Sequence, residues 1–258
     1  GDITTGAITA ASNALSLTAG TGSTTVASVG NANPATDAAS TLTVTSSTNT
    51  TFTGVVSAAD IALSATTGTI TFQGDTTATN GLTTTTSVQN LEFQEDLDVN
   101  TASVLFNNAG LLRLGVGGAD TATFQGGANT TGVGGTVFVN GNLISSADAI
   151  TLGPITLEGA STIDTANGAL TVGAVTGAGN SLSLDAGTGG TIAGTTIANV
   201  TDLVIVDANG TATAVDFSGA VSTTTSIDLN GTQGGTYTFD GLVTTPTLTT
   251  DAGNAGDG

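Results

Sequence analysis

Residues 173–189, GAVTGAGNSLSLDAGTG, repeat residues 6–22, GAITAASNALSLTAGTG, at 12 of 17 positions. The echo extends to FTGVVS at 52–57, which returns as FSGAVS at 217–222, and to TITFQG at 69–74, which returns as TYTFDG at 236–241. The offset is nearly the same each time, so residues 167–258 rewrite residues 1–91. A chain that repeats itself stacks each unit on its neighbours and makes a rod rather than a globule around a pocket. The function of such a chain is expected in the rod and its surfaces.

Along the whole chain, apolar and polar residues alternate over short stretches: Leu15/Leu17, Leu42/Val44, Ile61/Leu63, Ile70/Phe72 and Leu91/Phe93, then Leu112/Leu114, Leu170/Val172 and Leu182/Leu184. Period two means strands with one buried face. Turns rich in Gly, Asn, Asp and Thr separate them, among them AGTG, NNAG and DANG. The strands recur every 8–12 residues, a spacing shared by β-sandwiches and by coils of short strands. With Thr supplying β-branched positions, Gly and Asn supplying left-handed corners, and Lys and Met absent, helices are expected to be almost missing. We therefore expect an all-β fold, a right-handed parallel β-helix (β-solenoid) forming one continuous rod over 1–258. At about 20 residues per turn and about 4.8 Å per rung, it would have roughly 13 rungs and a length of about 60 Å. The alternative is a tandem of two β-sandwich domains of about 125 residues each. No Pro-rich or polar linker divides the chain, and Pro34, Pro154 and Pro246 are expected at corners or strand starts. Segments 31–40 and 126–135 are expected to protrude as loops. Phe138, between Val137 and Val139, and Val204, among Leu203, Ile205 and Val206, make their strands apolar on both faces, so each is expected either to be covered by a loop or to touch a neighbouring molecule.

Charge excludes several partners. Net charge is −19 and Arg113 is the only cationic side chain, so nucleic acid and anionic membranes are unsuitable partners. No apolar run reaches the 18 or so residues of a membrane helix, so no membrane insertion is expected. Cysteine is absent, which removes disulfides and thiol chemistry. A trypsin-like protease meets a single cleavage site, which suits persistence outside cells. The chain opens on Gly1 without a following apolar segment, as a mature or trimmed product would.

The motifs L-x-L-x-A-G-T-G, G-A-V/I-T and T-F-x-G recur through this acidic, Gly/Thr/Ser/Asn-rich chain. In this it resembles the β-strand-repeat surface proteins related to filamentous haemagglutinin and to autotransporter passenger adhesins. The resemblance covers essentially all 258 residues and implies an extracellular β-helix used in adhesion, matrix building or surface filaments.

Catalysis is not expected. Enzymes on β-helices act mostly on acidic polysaccharides and need Lys, Arg or His beside paired Asp, whereas this chain has no His, no Lys and no Trp. The densest acidic cluster is 92–98; an unbroken strand there would put Glu92, Asp96 and Asp98 on one face, either a set of oxygen ligands for Ca²⁺ or simply a solvated face. No cofactor is expected to be required. Asn49, Asn129, Asn199, Asn209 and Asn230 open N-x-Ser/Thr sequons, candidate glycosylation acceptors. Thr-x-Thr steps at 41–43, 43–45, 69–71, 236–238 and 247–249 raise an ice-binding face, which needs one such step on the same side of every rung; their spacing is irregular.

Neither end carries a capping helix or a charged shield, and a solenoid exposes its terminal rungs unless something covers them. Joined tail to head, the termini read like the internal stretch 163–176. The expected function is a secreted structural protein that polymerises head to tail with itself into a surface or matrix filament, with Asp2, Ile3, Ile8, Leu248 and Asp251 at the joint. The alternative is an adhesin stalk that binds cells, surfaces or other matrix components through loops 31–40 or 126–135.

Overall fold

The computed structural model describes residues 1–30, 38–207, 214–231 and 236–250. They form 27 strands and no helix. Every strand pairing among them is parallel, which rules out the antiparallel sandwich tandem. Ile3 pairs with Thr24, Thr24 with Thr50, Thr50 with Ile70 and Ile70 with Leu91. The same ladder continues through Leu112, Val137, Ile155, Val175, Ile197 and Val221 to Val243. The fold is thus a parallel β-solenoid of about 11 turns, fewer and longer than those expected from the sequence. The longest steps run from Thr24 to Thr50, Leu112 to Val137 and Ile197 to Val221, and the ladder continues across all three.

Each turn has three sides. The first is the ladder just traced. The second runs from Val29 through Val56, Thr76, Leu97 and Ala122 to Leu143, and on to Leu229. The third begins with Leu15, Leu42, Ile61 and Leu82 and continues as Val104, Ala128, Ile150, Leu170, Ile192, Val215 and Tyr237. Period-two alternation places one apolar column inside each side, and these columns merge into one continuous core. Rungs that stack at strand spacing bring like residues into contact. Phe52, Phe72 and Phe93 stack with ring centroids 4.8 Å apart, and Phe217 stacks on Phe239 at 5.7 Å.

The recurring motifs are corners. In T-F-x-G the Phe ends a side pointing inward, and the Gly two residues later lies against the corner of the neighbouring turn. A Cβ on Gly74 would stand 2.6 Å from the carbonyl carbon of Gly54, and Gly241 meets Gly219 in the same way. In A-G-T-G the Ala is buried and the following Gly is left-handed, with φ +62° at Gly20 and +64° at Gly187. Pro154 and Pro246 each directly precede a strand, Ile155–Asp164 and Thr247–Thr250; Pro34 lies outside the described residues.

The echo keeps these local structures but not their side. Leu15 and Leu17 belong to the third side, whereas their counterparts Leu182 and Leu184 belong to the second. Phe52 and Phe72 lie on the first side and their counterparts Phe217 and Phe239 on the third. Counted along the ladders, each counterpart lies one side short of eight full turns further on, so the second copy is rotated by a third of a turn about the axis. This is tolerated because all three sides use the same pattern of inward apolar residues between small-residue corners.

Candidate functional site

With the core filled by side chains, chemistry is left to the outward columns, the corners and the two ends. The first side begins with a rank of threonines, Thr4, Thr25, Thr51 and Thr71, each the ladder partner of the next. Among the described residues none of their hydroxyls makes a side-chain hydrogen bond. The Thr-x-Thr steps singled out from the sequence do not build this rank. Only 69–71 lies on the first side; 41–45 and 236–238 lie on the third and 247–249 on the second.

The threonine rank ends at Glu92, where Arg113 and Phe138 follow in the same column. Arg113 Nη1 donates to Glu92 at 2.9 Å, while Nε and Nη2 donate to the two oxygens of Glu158 at 2.8 and 2.9 Å. The guanidinium also lies over the Phe138 ring, 5.2 Å from its centroid, a cation–π contact, so what covers this ring is a side chain of the adjacent rung rather than the loop or neighbouring molecule expected. The hydrogen bond to Glu158, joined by the charges of Glu158 and Glu92, outweighs partial burial and raises the Arg113 pKa above its ordinary value. Beyond it the column resumes with Thr156 and Thr176.

The second side and the corner leading into it carry most of the acid. Asp98 lies between Thr77 and Thr123, Asp164 pairs with Asp185, and Asp228 follows Val204. Several of these carboxylates are used locally. Asp96 accepts from the Thr121 N–H, Asp164 from Ala166 N–H, and Asp120 from both Val116 and Gly117 N–H, closing the turn at 116–120. Asp202 accepts from the hydroxyls of Ser181 and Ser226. Val204 lines a shallow groove of about 240 Å³ with Asn142, Thr162, Ser183 and Gly118.

The structure does not bring the Ca²⁺ candidates together. The corner at 94–96 breaks the strand, so Glu92 ends up on the first side against Arg113 while Asp98 lies on the second. Among the described residues no three acidic, His or Cys side chains form a metal-ligating group. Sequon residue Asn49 is exposed and its Oδ1 accepts from Thr69 N–H, whereas Asn129 Oδ1 accepts from both N–H and hydroxyl of Thr131, its own sequon threonine. Asn199 is exposed with φ +57°, Asn230 sits partly buried in the strand Val221–Gly231, and Asn209 lies outside the described residues.

One expected loop contains a short strand, Ala128–Asn129, between turns and bends. Ala128 and Asn129 pair with Val104 and Leu105 on one side and with Ile150 and Thr151 on the other, and Thr130 is buried, so 128–130 belong to the third side while 131–135 form the turn that follows it. Its glycines suggest a protrusion, but Gly127, at φ +82°, and Gly126, Gly134 and Gly135 fit against backbone of the preceding or following turn. Of 31–40, residues 31–37 lie outside the described residues, and Ala39 and Ser40 already belong to the strand Ala39–Ser46.

At the N-terminal end, Ile3–Ile8 pairs only with the strand above it, Thr24–Val29, among the described residues, and Asp2 accepts from Ser23 N–H at 2.8 Å. Ile3 and Ile8 are half-buried. At the other end, Val243–Thr244 and Thr247–Thr250 pair, among the described residues, only with Val221–Gly231. Leu248 sits on Ile227 and is 55% exposed; Leu242 is 74% exposed. Asp251 lies outside the described residues.

The architecture defines the class: a parallel β-solenoid repeat protein. No family model, curated protein or solved structure matches the chain. No helix among the described residues is long and apolar enough to cross a membrane.

Proposed function

We propose that this chain is a secreted structural β-solenoid that assembles end to end with copies of itself into an extracellular surface or matrix filament. The observation that carries this reading is the pair of terminal rungs. Among the described residues each pairs with one neighbouring rung, and each carries apolar side chains that are not fully buried, Ile3 and Ile8 in one and Leu248 in the other. Stacking one on the other would pair the unpaired backbone groups and bury those side chains, as strand addition does. A contact between two different surfaces does not close on itself and so propagates a fibre. The resemblance to haemagglutinin-like surface proteins points the same way, and the absence of His and Lys disfavours catalysis as the use of this surface.

The reading is tested by charging the two ends separately. Leu248→Lys and Ile3→Lys should each shorten the assemblies seen by sedimentation velocity, and a mixture of the two variants should do no better than dimers. Wild-type chain that stays monomeric at millimolar concentration, or variants that assemble as well as wild type, would reject it.

A further inference from the structure

We draw no further inference here: the strongest candidate, the nearly uncharged outward face of the third side, where the exposed Leu105 is followed by Asn129, Thr151 and Thr171 in successive rungs, is an unpartnered sheet face, and nothing in the structure shows what covers it.

Discussion

Phe52, Phe72 and Phe93 give the sharpest test of the stacked core, because the geometry assigns each pair a different coupling. All three are fully buried, and Phe72 has a ring 4.8 Å away on both sides. Each stacked pair contributes about 0.5–1.5 kcal/mol beyond the area it buries. Phe72→Leu removes two pairs and should cost about 1–3 kcal/mol from stacking, in addition to the loss of ring volume that any of the three substitutions incurs. Phe52→Leu and Phe93→Leu each remove one pair, since Phe52 otherwise meets Val26 and Phe93 meets Leu114. The volume term cancels in a double-mutant cycle, so urea unfolding followed by circular dichroism should give couplings of about 0.5–1.5 kcal/mol for Phe52/Phe72 and Phe72/Phe93. Phe52 and Phe93 are two rungs apart, roughly 9.6 Å, and should be additive within about 0.5 kcal/mol. A Phe52/Phe93 coupling as large as the neighbouring ones, or none between Phe52 and Phe72, would refute the column.

Other substitutions test the corners and the charge. A methyl at Gly194 would run into the Phe217 ring, so Gly194→Ala should cost about 1–3 kcal/mol in urea unfolding, and Phe217→Leu in that background should restore part of it. Arg113→Gln frees Glu92 and Glu158 and uncovers Phe138; a loss of about 1 kcal/mol is expected at low salt, shrinking at about 0.5 M NaCl, and an unchanged loss would argue against an electrostatic origin. With 20 acidic side chains against one basic, repulsion dominates, so the thermal midpoint should rise as NaCl is raised from about 10 to about 500 mM. A falling midpoint would mean that attractive pairs outweigh repulsive ones.

The solenoid is legible in the sequence because alternation such as Leu15/Leu17 and Ile70/Phe72 reports directly which side chains are inside, and because corners such as A-G-T-G need left-handed glycine. Which side a strand belongs to is not legible. All three sides carry the same alternation, so Leu15/Leu17 and Leu182/Leu184 look equivalent in sequence and yet lie a third of a turn apart. The same ambiguity hides the Thr4–Thr71 rank and the Glu92–Arg113–Phe138 contact, whose members recur at unequal intervals because corners vary in length. Segment 126–135 has the composition of a free loop, but its glycines serve close approach between turns. Glu92, Asp96 and Asp98 share a face only on an unbroken strand, and a corner separates them.

The central claim is that the terminal rungs of one rod continue in the next, and electron microscopy of the purified chain at rising concentration measures this directly. A rod of about 11 turns at about 4.8 Å is about 50 Å long. Particles whose lengths grow as multiples of that unit, with no increase in width along a single strand of the assembly, are the predicted result. A population that stays at single rods at every concentration, with and without Ca²⁺, would contradict it.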